Sequence, residues 1–417
     1  MYRAPRGTTD ILPEEQPYWR YVEQKAAYIC QLYGYQRIDT PTFEDTRLFS
    51  RSAGEGTDIV EKEMYTFEDR GGNSLSLRPE GTPSVCRAYV EHGLHNLPQP
   101  VKLYYIAPIF RYDRPQAGRY RQHHQFGCEA IGEADPSLDA EVIDVAWQFL
   151  TSLGLSQISL QVNSIGCKKC RPGYLIKLKE YYSGRTGEIC PDCKTRLVKN
   201  PLRLLDCKND ACQQVASAAP SSIDHLCPEC SQHFVQLKKF LGLLDIPFEV
   251  NHRLVRGLDY YTRTVFEIQP REEKAQSTLV GGGRYDDLIE ALGGRPTPAL
   301  GFASGLERII LSLKKENIPV PPLPSPQVFI ASIGDQARQE AVRLATSLRH
   351  AGIGAIEAAG SRSLKAQLRQ ANTLNIPRTI IIGDEEVKTG TVILRDMKTS
   401  QQKSVPASQL LEELQQN

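Results

Sequence analysis

An apolar run from Val101 to Phe110, VKLYYIAPIF, stops at Arg111, and three more arginines, Arg114, Arg119 and Arg121, follow before the chain returns through His123 to Glu129. The run reads as a buried strand, the next segment as a loop and the return as a second strand. A guanidinium stays charged at any physiological pH, so at the end of a buried strand it needs an anion or a carboxylate close by. In the returning strand a period of two puts His123, Gln125, Gly127 and Glu129 on one face, with Gly127 leaving room between polar side chains. Such a hairpin is suited to holding phosphates and a small polar ligand, with that face as the floor.

Length and composition bound what the hairpin can belong to. With 417 residues, 24% charged and 40% hydrophobic, the chain has material for two or three globular domains. A formal net charge of +1 provides no global field for polyanions, so nucleic-acid contact must come from local patches. The opening MYRAPRGTTDILPEEQ has no apolar signal region and no run of about 18 apolar residues occurs, so a cytosolic protein without a membrane segment is expected. There, eleven cysteines read as reduced thiols or metal ligands rather than as a disulfide framework.

Five prolines in the nine residues Ile318 to Pro326 remove backbone donors and predict a stiff, extended linker. Beyond it, strand-like VFIAS, a helix around Ala337 to His350, strand-like Thr379 to Gly383, TVILRD and a helix near Ser408 to Leu414 predict a small α/β domain. Ahead of it, helices at Pro17 to Tyr33, Thr82 to Glu91 and Ser137 to Leu153 interleave with apolar strands, as in one large mixed sheet carrying helices. Val142, Val145, Ala146 and Phe149 share a core-facing stripe of the third helix, and Asp135 or Ser137 can cap it. Eight cysteines fall together as Cys167/Cys170, Cys190/Cys193, Cys207/Cys212 and Cys227/Cys230. These shifts divide the chain into 1–166, an insertion at 167–233, 234–318, a linker at 319–326 and a last domain at 327–417.

Thiolates two residues apart can hold zinc through a tight turn, and eight could complete two four-thiolate sites. Which pairs would share a metal does not follow from their order. The alternatives are a module of reduced thiols folding by its own small core and, more distantly, a redox role. Cys30, Cys86 and Cys128 are scattered and read as buried small hydrophobes. His123 and His124, adjacent in a strand, point to opposite faces and do not suggest a shared metal.

Four further segments place polar groups where the pattern asks for a core. In LRPEGT, Glu80 stands just before a helix with Gly81 and Thr82, placed to receive a ligand ammonium. In LVRGLDYYTRTVFE, Arg256, Tyr260 and Tyr261 precede a strand from Thr264 to Ile268. The glycines of GGGRYDDL, with Tyr285, permit close backbone approach to a ligand. In GFASGLERIILSL, Leu306, Ile309, Ile310 and Leu313 form a helix stripe and Arg308 stands off it, near a helix start that favours anions.

Taken in order, these segments resemble the histidyl-tRNA synthetase family of class II aminoacyl-tRNA synthetases over essentially the whole chain. FRYDRP through Glu129 is similar to the family's motif 2, GFASGLER to motif 3, and GYQRIDTPTFED around Pro41 to motif 1, which helps build the dimer. LVRGLDYYTRTVFE and GGGRYD are similar to two segments peculiar to the histidine enzyme. The resemblance implies an α+β catalytic domain with a mixed, mainly antiparallel sheet, an inserted cysteine-rich domain and a C-terminal α/β anticodon-binding domain. It implies ATP with Mg²⁺, L-histidine and tRNA(His) as partners of a cytoplasmic homodimer. Arg111 and Asp113 would hold ATP, Arg111 at the α-phosphate; Arg308 would take the distal phosphates, and Arg256 would stand by the reacting carboxylate and phosphate. Glu80, Thr82 and Gln125 would hold the α-amino group beside Gly81, Glu129 and Tyr261 the imidazole nitrogens, with Tyr260 and Tyr285 lining the pocket. Asp113 stands where the family usually has Glu, and His123 where Phe is common. The cysteine-rich insertion departs further, since many members lack these cysteines.

Each residue alone also has a plainer reading. An arginine at a strand end is often a structural salt bridge, paired tyrosines often pack a strand, and a glycine triplet often makes a turn or bulge. A catalytically silent relative, such as the regulatory subunit of ATP phosphoribosyltransferase, shares the catalytic domain but generally loses the arginines and the last domain. A zinc-dependent nucleic-acid-binding module accounts for the cysteines but not the remaining segments. In the last domain Arg362, Lys365 and Arg369 at helical spacing suit either a tRNA backbone or a solvated face.

Overall fold

The computed structural model describes residues 2–53, 57, 59–113, 119–271, 278–360 and 362–415; Arg114 lies outside them. Strand Val101–Phe110 alternates buried and half-buried residues along its whole length, as an apolar run with one covered face should. It pairs antiparallel with Gln122–Ile131 from Val101↔Ile131 to Phe110↔Gln122, and the Arg111 N–H carries the pairing on to the Arg121 carbonyl at 2.9 Å. Strand Ala299–Gly305 adds beside Gln122–Ile131, then Val280–Arg284, Thr262–Pro270, Ile158–Ser164 and Phe248–Val250, while Gln36–Arg37 borders Val101–Phe110. The two edge pairings run parallel and every internal one antiparallel, giving the mixed, mainly antiparallel sheet.

Helices Gln16–Leu32, Pro136–Ser152 and Leu306–Lys315 cover one face. Val142, Val145, Ala146 and Phe149 are fully buried, and Asp135 is the cap, accepting from the Ser137 N–H at 2.8 Å. Phe126 meets Phe149 and Phe302 edge to face at 4.8 and 5.5 Å, which ties helix to sheet. Helix Thr82–Glu91 packs on the other side with Val85, Cys86 and Tyr89 buried. Cys30 and Cys128 are buried as well. A small sheet of Phe43–Asp45, Thr66–Glu68 and Ser74–Leu77, largely exposed and made of strands only three or four residues long, has no counterpart in the sequence reading.

The cysteine-bearing segment folds as helices Arg171–Ser183, Pro191–Lys199, Asp210–Ser217 and Pro228–Leu243. Its apolar side chains, Tyr174, Leu178, Tyr182, Leu204 and Leu205, join the same core as Tyr260, Tyr261 and Tyr285.

Compact contacts divide the chain into Met1–Pro321 and Pro322–Asn417, a division inside the proline run. The second unit has a sheet in the order Ala355–Glu357, Val328–Ile333, Arg378–Gly383, Thr391–Asp396, Gln402–Pro406, the first three parallel and the rest antiparallel. Helices Asp335–His350, Leu364–Thr373, Asp384–Thr389 and Leu410–Gln415 complete it. Arg362 is not on a helical face with Lys365 and Arg369: Ser363 caps the helix by accepting from the Ala366 N–H, so Arg362 precedes it. No described helix is long and apolar enough to cross a membrane.

Candidate active site

Glu80 owes its position to its neighbour Arg78. That buried guanidinium donates to the Pro108 carbonyl at 2.8 Å and the Thr40 carbonyl at 2.8 Å, pinning Leu77 to Pro79 against strand Val101–Phe110. The chain then turns Glu80, Gly81 and Thr82 into a cavity of about 370 Å³. Arg111, Asp113, Gln125, Arg256, Tyr260, Tyr261, Tyr285 and Arg308 line the same cavity, so residues far apart in sequence converge there.

The cations form one cluster. Arg111 donates through Nε to the Pro79 carbonyl at 2.7 Å and Arg308 through Nη1 to the Thr278 carbonyl at 3.0 Å, so each is aimed by the backbone. Arg256 is paired with Glu267, stands 6.0 Å from the Tyr261 ring centre and lies against Gly281, where a Cβ would overlap its guanidinium. Burial alone would lower the Arg256 pKa, but Glu267 and Tyr261 outweigh it and hold it above the ordinary value. Arg308 is held below its ordinary value by burial and by Arg119 and Arg111. His123 is pushed down to about 3 by burial and by Arg111 and Arg308, so its ring is neutral. Asp113 pairs with Arg119 at 2.9 Å. Such a cluster of facing cations calls for a polyanion.

Two carboxylates form the other cluster. Glu80 is buried, accepts from the Tyr260 hydroxyl at 2.7 Å, and has its other oxygen without a hydrogen-bond partner. Burial raises its pKa to about 7, against the lowering pull of Tyr260, Arg111 and Arg256. Glu129 lies one layer behind the wall, accepting from Thr82 at 2.6 Å and from the Tyr285 hydroxyl. Burial pushes it up to about 8, and the nearby Glu80 adds to the shift. The Gln125 oxygen is buried and unpaired. An ammonium and an N–H donor would satisfy these acceptors.

Tyr105 is a site residue that the sequence reading passes over. Its ring lies beneath both Gly81 and Gly127, and a Cβ on either would overlap it. The room left by Gly127 is therefore filled by a ring from the neighbouring strand. Tyr105 sits in phase with the buried positions of Val101–Phe110, and a phenol there gives the same signal as core packing. Glu267, the partner of Arg256, and Arg203, which reaches the cavity from the insertion, are further additions. Arg284 of the GGGRYDDL segment instead serves the core: fully buried, it pairs with Asp139 at 2.6 Å.

Away from the cavity the cysteines gather into two sets, Cys167, Cys170, Cys227 and Cys230, and Cys190, Cys193, Cys207 and Cys212, with the sulfurs of each within 4.8 Å of one another. The Cys167 N–H points at the Cys170 sulfur at 3.3 Å and the Cys190 N–H at the Cys212 sulfur at 3.2 Å.

Known proteins resemble this chain along nearly its whole length. The family profile described as histidyl-tRNA synthetase matches residues 7–168 and 200–309, and the profile of an anticodon binding domain matches 327–417. A histidine–tRNA ligase of Dehalococcoides mccartyi is 63% identical over 414 residues, 99% of each chain. One of Desulforamulus reducens is 50% identical over 407 residues, 98% of this chain and 97% of its own. The crystal structure of apo S. aureus histidyl-tRNA synthetase superposes with a TM-score of 0.83 at 39% identity, covering 99% of this chain and 100% of that one. The chain belongs to the histidyl-tRNA synthetase family, with the class II catalytic fold and an anticodon-binding domain.

Proposed function

We infer that this chain activates L-histidine with ATP to histidyl-adenylate and pyrophosphate and then passes the histidyl group to the 3′ end of tRNA(His). The observation that carries this reading is the meeting, in one cavity, of an arginine cluster with buried acceptors that lack a donor. In the first step a histidine carboxylate oxygen attacks the α-phosphorus and the bond to pyrophosphate breaks, so negative charge builds on the phosphoryl oxygens. Arg111 meets the α-phosphate, Arg256 the reacting carboxylate and phosphate, and Arg308 the outer phosphates, while Asp113 contributes to the ATP site. Mg²⁺ enters as part of the nucleotide substrate. Glu80, Thr82 and Gln125 hold the ammonium beside Gly81. Glu129, reached past Thr82 and Tyr285, and Tyr261 address the imidazole, with Tyr260 and Tyr285 as walls. Polar clamping of this kind rejects rings lacking a nitrogen, because it would leave the clamping groups without their ligand partner. Residues 1–166 and 234–318 form the catalytic domain, and a cytoplasmic homodimer fits the family.

Histidine-dependent ATP–pyrophosphate exchange, followed by aminoacylation of tRNA(His), tests this reading. A purified chain active in neither would reject it in favour of a catalytically silent relative. Against that relative stand the three arginines and the matched anticodon-binding domain.

Each thiol set suits one structural zinc ion, since four cysteine sulfurs at this spacing are the donor set for tetrahedral Zn²⁺. Zinc there would cross-link the helices of residues 167–233. Chelation or Cys193→Ser is expected to expose the insertion to protease before the catalytic core loosens. Protein purified without added zinc that contains no metal would remove the proposal.

A further inference from the structure

The insertion touches the histidine-side loop at alternate residues. Arg203 packs its guanidinium against Gly257, Asn200 donates to Asp259 at 2.6 Å, and Arg171 donates to the Tyr261 carbonyl. Arg171 is the first helical residue after Cys170, so its backbone position is fixed by the thiol turn. Its other hydrogen bonds go to the Gly166 carbonyl at 3.1 Å and the Ile165 carbonyl at 3.3 Å. Among the described residues no carboxylate hydrogen-bonds it, and the carboxylates of Asp287 and Asp259 act on it only through their charge. A partly buried guanidinium spending its donors on three carbonyls holds backbone rather than charge.

The segment it holds is strained. Arg263 has φ of 48°, in the left-handed region that a non-glycine residue rarely adopts, two residues beyond Tyr261. Its N–H donates to the Gly166 carbonyl at 2.8 Å and its carbonyl accepts from the Ile165 N–H at 2.8 Å. Gly166 has φ of 71°, and a Cβ there would crowd the Cys170 sulfur. The turn that presents Cys167 and Cys170 therefore also clamps the backbone on either side of Thr262, through the carbonyl of Tyr261 and both peptide groups of Arg263.

We propose that Arg171 is a positioning residue for the histidine pocket, a strut from the Cys167/Cys170/Cys227/Cys230 cluster to Tyr261 that sets histidine affinity and leaves ATP binding untouched. The proposal rests on the histidine-activating reading above. A four-thiolate zinc site carries net negative charge, and Arg171 would be its adjacent cation. Its donors are meanwhile committed to the Tyr261, Gly166 and Ile165 carbonyls.

Arg171→Lys in the full chain keeps the positive charge but loses the planar fork. Exchange kinetics, bound metal and thermal unfolding are measured together with calorimetric binding of histidine. The expected result is a KM for histidine raised about tenfold, a KM for ATP changed less than about twofold, and unaltered metal content. Arg171→Ala should shift histidine binding further in the same direction; if it fails to fold, the lysine variant decides. An unchanged KM for histidine, or equal rises for histidine and ATP, would overturn the proposal. Should the wild-type chain show no exchange, the activity reading fails, while calorimetry of histidine on both proteins still judges Arg171.

Discussion

Around Arg111, Arg119 and Arg308 the cavity buries like charges together, and burial and their repulsion depress the pKa of Arg308, whereas around Glu80 and Glu129 it buries acids and raises theirs. Both clusters are costly without a ligand, but in opposite ways. Arginine cannot shed its proton in this range, so the cationic cluster keeps its charge, held by carbonyls at Pro79 and Thr278. Carboxylates can escape by taking a proton, so the acidic cluster is partly neutral near pH 7. A polyanion finds a fixed field, while an ammonium finds a titratable one. Of the two, only the second gives the protein itself a charge that changes between pH 6 and 8.

The severest way to break this contrast is to remove a fixed cation. Arg256→Ala should lower the exchange rate about 10³-fold while the fold survives, because Glu267 keeps a hydrogen bond from Thr278 at 3.0 Å. Preserved exchange would show that Arg256 serves Glu267 alone. Next in size, Gly127→Ala drives a methyl into the Tyr105 ring. It should destabilise the protein by about 2 kcal/mol in denaturant titration and weaken histidine binding with it. Arg308→Ala should reduce kcat/KM for ATP about thirtyfold, with a smaller change for histidine, as measured by exchange with each substrate varied.

The smallest effect is the most diagnostic. Bound ammonium favours ionised Glu80, so histidine binding near pH 7 should release protons, seen in calorimetry as a dependence on buffer ionisation heat. KM for histidine should rise roughly fivefold from pH 8.5 to 6.5 as the carboxylates protonate. The sign for stability is reversed. Because burial raises Glu80 to about 7 and Glu129 to about 8, their contribution to the ligand-free fold is complete below the ordinary carboxylate range and is lost as pH rises through those values. Binding without proton release would mean that both acids are already ionised.

Charged residues interrupting apolar patterns made much of the architecture and the cavity legible in sequence. Helix Thr82–Glu91 and strand Val101–Phe110 have the expected bounds because a polar turn or a terminal arginine marks their ends. Pairings across long separations were not legible. Glu267 lies in a strand where a half-buried acid looks like an exposed one, and only register brings Thr262–Pro270 beside Val280–Arg284 and Gly281 beneath Arg256. Cysteine order likewise conceals that Cys167 and Cys170 join Cys227 and Cys230, since the other four thiols lie between them in the chain. Strand Gln402–Pro406 buries Val405 alone, too little alternation to announce a strand.

The Tyr105 ring beneath two glycines also constrains how such a site can change over generations. A side chain at 81 or 127 becomes tolerable only after position 105 has shrunk, yet shrinking it first leaves a void under the substrate. Neither order of substitution passes through a sound intermediate, so the three positions form an epistatic lock, and a laboratory lineage seeking a new amino-acid substrate would have to move them together.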